Sequence, residues 1–299
     1  MIQKKIAIAL LALSAGLISC SNNDDQDEIT TSQITLDIDG LEDLGADYMY
    51  EGWIIVEGNP ITTGVFSVDS EGVLSSSKFD VDKNNLQAAT KFVLSIEPTN
   101  DSDPAPSETK YLVGDFDGSS AALSTGIIAD FSSAAGTFIL ATPTDNSTND
   151  ANDENGIWWL NPGDTPTAAL VLPELPEGWK YEGWVVENGI PITTGTFTNI
   201  AGTDEAAPFS GSDALADVNG SDGFFPGEDF LINAPSQVTF PLDVRGKTAV
   251  ISIEPYPDNS AAPFTLKPLV GVAGQETAPA INEMNNNSSS SFPTGSVSR

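Results

Sequence analysis

The chain has 299 residues, with 43 acidic against 11 basic side chains, a formal net charge of −32, no histidine and one cysteine. Such a charge repels phosphate backbones and anionic headgroups, which excludes nucleic acid as a partner. Without histidine there is no Ser-His-Asp or Cys-His catalysis and no usual zinc ligand set, and a lone cysteine forms no disulfide framework, so neither an enzyme nor a cofactor is expected.

The chain opens "MIQKKIAIALLALSAGLISC", with a basic start at Lys4 and Lys5, an apolar run from Ile6 to Leu17, and Cys20. The run is shorter than the roughly 20 apolar residues a membrane helix needs, and it reads as a secretory signal. Its end, Leu17 to Cys20, resembles the bacterial lipobox, in which cleavage leaves the cysteine N-terminal and diacylated. The resemblance implies a lipoprotein signal peptide over 1–20, a lipid at Cys20 and a membrane as partner through that lipid. Residues 21–31 form an acidic tether too polar to bury a core and expected to be disordered. The tether is similar to the acidic export signal of surface-exposed Bacteroidota lipoproteins, which implies an outer membrane location with display at the cell surface.

Next comes "YEGWIIVEGNPITTG", Tyr50 to Gly64, which returns as "YEGWVVENGIPITTG", Tyr181 to Gly195. A second pair follows: "VLSIEP" at Val93 to Pro98 and "VISIEP" at Val250 to Pro255. The offset is 131 residues at Tyr50 and Tyr181 but 157 at Val93 and Val250, so the second copy carries an insert, placed around Gly202 to Pro235. Both signatures alternate as strands do, and Gly, Asn and Pro turns make the first of them a hairpin. Trp53 and Trp184 occupy equivalent strand positions and are expected to pack in the core or between sheets. Glu97 and Glu254 precede prolines and are placed at solvent-leaning strand ends.

Between the copies lie two more strands, "GTFILATP" and "GIWWLNP", around the acidic segment "TDNSTNDANDEN". Asp145, Asp150, Asp153 and Glu154 are hard ligands of the kind Ca²⁺ prefers, yet the spacing misses the EF-hand glycine and terminal glutamate, so a solvated loop is the preferred reading. Trp158 and Trp159, adjacent on a strand, point to opposite faces. One is expected in the core and the other outward, against the partner repeat or available to stack on a sugar. Residues 281–299, rich in Asn and Ser, read as a disordered tail. The expected fold is all-β, two Ig-like β-sandwich repeats in tandem at 32–127 and 134–280, joined by loops and polar segments and at least partly separable in unfolding.

The order YEGW, turn, TG plus aromatic, SIEP strand and Pro-containing loop resembles the C-terminal extracytoplasmic domain of the anti-sigma-K factor family. The resemblance covers about residues 40–116 and 170–272. It implies an envelope module, and a chain exported whole does not hold a sigma factor directly. The expectation is a non-catalytic binding or structural lipoprotein. Its alternatives are a carbohydrate-binding or adhesive surface protein contacting a glycan, and a sensor partner of a transmembrane envelope regulator.

Overall fold

A computed structural model of the chain describes residues 30–145, 150–211, 225–257 and 260–299. The signal peptide, Cys20 and nearly all of the tether lie outside the described residues, as does the side chain of Asp150. The first repeat supplies β1 (Thr31–Asp39), β2 (Tyr48–Val56), β3 (Asn59–Phe66), β4 (Lys78–Asp82), α1 (Lys83–Ala88), β5 (Lys91–Pro98), β6 (Lys110–Asp115) and β7 (Ser120–Leu123). A middle segment holds β8 (Ala135–Phe138), β9 (Gly156–Trp158), β10 (Leu160–Asn161), β11 (Thr167–Ala168) and β12 (Leu170–Val171). The second repeat supplies β13 (Trp179–Glu187), β14 (Ile190–Phe197), β15 (Gly227–Asp229), β16 (Thr248–Pro255) and β17 (Leu269–Val272). The chain continues through β18 (Asn282–Asn286), α2 (Ser288–Ser291) and β19 (Thr294–Ser298). Among the described residues, no helix is long and apolar enough to cross a membrane.

The fold is all-β. The duplicated signatures form equivalent four-strand units, β3-β2-β5-β6 in the first repeat and β14-β13-β16-β17 in the second. Each opens with a tight hairpin whose two turn residues, Glu57-Gly58 and Asn188-Gly189, have positive φ, the conformation of a type I′ turn that matches strand twist. Facing the first unit is a second sheet, β4-β1-β19-β7. Ile34, Leu36, Ile38 and Val297 on its inner side meet Tyr50, Ile54, Phe92 and Leu94 in one buried cluster. In the second repeat β17 pairs with β18, so the two layers join into one seven-stranded sheet, β12-β8-β18-β17-β16-β13-β14.

The interval 32–127 lacks one strand of its own sheet, β19, and 134–280 stops short of β18; the strand that follows each signature copy pairs in the sheet of the other. β8 follows the first repeat in the chain but lies between β12 and β18 of the second; β19 follows the second but lies between β1 and β7 of the first. The registers correspond: Ile38, Gly295 and Leu123 align across one sheet, and Leu170, Gly136 and Met284 across the other. "Gly-Thr-Phe" at 136–138 and "Gly-Ser-Val" at 295–297 thus fill the same slot. Phe131 and Phe292, on the two outgoing connections, meet edge to face with centroids 5.3 Å apart.

Residues 281–299 are therefore not a disordered tail. Their polar composition hides two strands, β18 and β19; the second is held by ladder hydrogen bonds, by the buried Val297, and by Arg299, whose guanidinium donates to the carbonyls of Leu86, Ala89 and Gly118. Nor are the repeats joined merely by polar linkers. A single buried cluster runs through both, bridged by Tyr111 against Trp179 and Phe264 at 5.7 and 5.5 Å.

Candidate functional site

The side chains of the repeated signature are engaged within the fold. Tyr50 and Tyr181 lie in the core and donate their hydroxyls to the carbonyls of Glu42 and Pro173, both eight residues upstream. Glu51 and Glu182 accept from Thr62 and Thr193, whose hydroxyls in turn accept from the amides of Gly64 and Gly195. Trp53 and Trp184 are buried on the face of their sheets opposite Tyr50 and Tyr181, outside the main core cluster. Their indole N–H groups donate to Ser95 Oγ at 2.8 Å and Ser252 Oγ at 2.7 Å, and each serine donates onward to Glu97 or Glu254.

Glu97 and Glu254 are accordingly not solvent-leaning; they are 2% and 1% exposed. Each carboxylate closes a loop that returns to the strand, accepting from the amide of Ser107 or of Phe264. Burial pushes the Glu97 carboxyl above its ordinary range, against the opposing bonds from Ser95 and Ser107.

Trp158 and Trp159 do point to opposite faces, but both are fully buried, which removes the sugar-stacking surface. Trp159 joins the main core and lies against Gly183, where an added Cβ would come within 2.3 Å of the ring. Trp158 belongs to a second cluster with Ile139, Leu160 and Phe225. It is covered by the insert of the second repeat, whose β15 pairs with β9 and sets Gly227 against the indole.

The acidic loop does not assemble a cage among the described residues, where no group of three or more potential ligands comes together. Asp145 accepts from Asn152, Asp153 from the amide of Thr142, and Glu154 lies 3.5 Å from Arg245. The insert contributes a feature that the sequence reading missed, two successive buried carboxyls on β15. Asp229 accepts from the amide and hydroxyl of Thr144 at 2.7 and 2.6 Å and from Trp158 Nε1 at 3.0 Å. Glu228 accepts from Ser210 and from the amides of Phe209 and Asp229. Burial raises Glu228 to about 8 and Asp229 to about 6, outweighing those hydrogen bonds. Nothing in the local pattern of "GED", between Phe225 and Phe230, marks these carboxyls as buried; their donors come from distant parts of the chain.

The concave feature with ligand-site character lies between the repeats. The β1–β2 connection supplies Glu42, Asp43 and Leu44, the start of β2 supplies Tyr48, the end of β5 and the following loop supply Ile96, Pro98, Ser107 and Glu108, and the second repeat supplies Pro255, Tyr256, Pro257 and Phe264. The cavity measures about 390 Å³ and its walls are mainly apolar. That fits the size and lining of small-ligand sites.

The two walls are fixed to one another. Thr265 donates its amide to Glu42 at 2.6 Å, Trp179 Nε1 donates to the Lys110 carbonyl at 3.2 Å, and Tyr48 donates to the Pro257 carbonyl at 3.3 Å. Gly178 makes a close backbone approach: at φ +88° it faces Glu108, whose carbonyl carbon would lie 2.7 Å from any Cβ there. Only glycine meets both demands. Behind the cleft Tyr111 is completely buried, and its hydroxyl has no hydrogen-bond partner among the described residues. No family model, curated protein or solved structure matches the chain.

Proposed function

We propose that the chain is a non-catalytic binding module, held on the outer envelope by a lipid at Cys20, and that its ligand site is the cleft between the repeats. The observation that carries this reading is the cleft's composition: three aromatic rings, three prolines and a few polar groups converge from both copies onto one cavity. The strand exchange supports it, since walls tied together by crossing strands are ordered before a ligand arrives. A non-catalytic role fits the placement of the carboxyls with raised pKa. Glu228 and Asp229 are held by protein donors, Glu97 is buried with one oxygen bonded to Ser95 and Ser107, and there is no histidine to act as a base. The glycan-binding alternative loses the two indoles on which it rested.

A ligand-observed NMR fragment screen on the whole soluble chain tests the cleft. Hits should be lost on Tyr256→Ala, a substitution at a half-exposed ring that leaves the fold intact; hits indifferent to it would send the search to another surface. Labelling cells with a clickable fatty acid tests the anchor. Label that persists in Cys20→Ser would end the lipoprotein reading.

A further inference from the structure

We infer that the cleft selects a small organic cation, an ammonium or guanidinium carried on an apolar stem. This rests on the cleft being the ligand site and adds the chemical class of its occupant. Among the described lining residues three are acidic, Glu42, Asp43 and Glu108, and none is Lys or Arg. Their situations differ. Glu42 is tied to the Thr265 amide, and Glu108 shares its charge with Lys110 at 3.3 Å. Asp43 is exposed at the mouth, where its carboxylate accepts from the Gly45 amide, so it offers the least compensated charge there.

The walls add a second preference for the same ligand. Tyr48, Tyr256 and Phe264 present rings, and a cation over an aromatic face is attracted by the ring quadrupole. The molecule already makes one such contact: the Lys180 ammonium, itself paired with Glu205, takes a face of the Tyr256 ring at 3.7 Å from its centroid, while Tyr256 stays 53% exposed. An anion would meet repulsion from the mouth and from a chain of net charge −32. A neutral apolar compound would fill the walls and leave Asp43 unanswered. With about 390 Å³ available, the stem is one ring or a short alkyl chain.

The probes are three compounds with one stem: 3-phenylpropyltrimethylammonium, 3-phenylpropan-1-ol and 3-phenylpropionate. Titration calorimetry and saturation-transfer NMR would follow their binding to the whole soluble chain, to Asp43→Asn, to Tyr256→Ala and to Asp164→Asn, an exposed acidic position away from the cleft. The expected result is one saturable site for the cation, at least tenfold tighter than for the alcohol, with no binding of the carboxylate. Asp43→Asn should bring the cation toward the alcohol's affinity, and Asp164→Asn should leave it unchanged. Equal affinity for cation and alcohol, both lost on Tyr256→Ala, would overturn the ligand class and leave the cleft standing. Equal weakening by Asp43→Asn and Asp164→Asn would also overturn the inference, because it would reduce binding to the general charge of the chain. No saturable binding by any of the three would overturn it too, and the fragment screen would then decide the cleft separately.

Discussion

The strand exchange predicts that a residue near the C-terminal end of the chain stabilises the N-terminal repeat. Val297 is fully buried in β19, between β1 and β7, in the same core as Ile34 and Tyr50. Val297→Ala removes two carbons from that core. At about 0.8 kcal/mol per buried carbon the transfer loss is about 1.6 kcal/mol, and the cavity left behind raises it to about 2 to 3 kcal/mol. For a chain of this size a kcal/mol moves the melting temperature by about 2 °C, so a fall of about 4 to 6 °C is expected. Because one core runs through both repeats, that fall should appear as a shift of a single cooperative transition. Hydrogen exchange should meanwhile show lost protection at β1 and β7. Ser298→Ala, on the exposed side of the same strand, is the control and should stay within about 0.5 kcal/mol. An unchanged melt for Val297→Ala would mean that β19 is not docked, and two transitions of which only one moves would mean that the repeats are independent bodies.

Trp53→Ala and Trp184→Ala should each cost about 3 to 5 kcal/mol, since each loses a buried indole and leaves a buried serine oxygen without its donor; both should shift the same transition, which differential scanning calorimetry would show. Stability should depend on pH through β15. Glu228 and Asp229 keep their protons in the folded chain above the pH at which the unfolded chain releases them, so their contribution is fully present below about pH 4 and is lost as pH rises toward about 8. Glu228→Gln should flatten that slope in denaturant titrations run from pH 4.5 to 8.5, and an unchanged slope would show that Glu228 is already ionised when folded. Thermal melts in calcium and in excess chelator at matched ionic strength should coincide; stabilisation of about 3 kcal/mol by micromolar calcium, the scale expected at 100 times Kd, would assign a site to the acidic loop.

The hairpins were legible in the sequence because each carries its own local signal: alternation along Tyr50 to Val56, and a two-residue turn that demands positive φ. The all-β class followed from the same signals repeated. What failed to show were contacts whose two halves lie far apart in the chain. β19 displays one buried apolar residue in "TGSVS", too little for a period of two to emerge from an Asn- and Ser-rich background, and its partners β1 and β7 lie in the first repeat. The alternation at Trp158 and Trp159 was readable and correct, but the cover over Trp158 comes from Phe225 and Gly227, beyond a long polar stretch. Glu97 and Glu254 do stand at the ends of their strands, before Pro98 and Pro255, but a strand end is not always exposed. The bonds that hold them inside are offered by Ser95 and Ser252, two residues earlier on the same face, and no pattern of hydrophobicity reports such a pair.

The duplication and the cleft are parts of one construction. Two copies side by side would each leave the slot between β1 and β7, or between β12 and β18, unfilled. Each slot is filled by the strand that follows the other copy, so neither sheet is completed by its own repeat alone. Reciprocal filling fixes the orientation of the repeats at one side of the molecule, where Phe131 meets Phe292. At the junction between the signature sheets the copies touch through Tyr111, Trp179 and Phe264, and Gly178 lets the backbones approach too closely for any side chain between them. Two points of fixation, one at the crossing strands and one at the aromatic seam, hold the walls of a cavity with little freedom to collapse or open. Tandem domains on a flexible linker would have to order such a cavity at the moment of binding, and part of the binding free energy would be consumed in doing so. Here the same strand exchange that joins the repeats into one body also brings Tyr48 and Tyr256, from different copies, into the lining of one cleft.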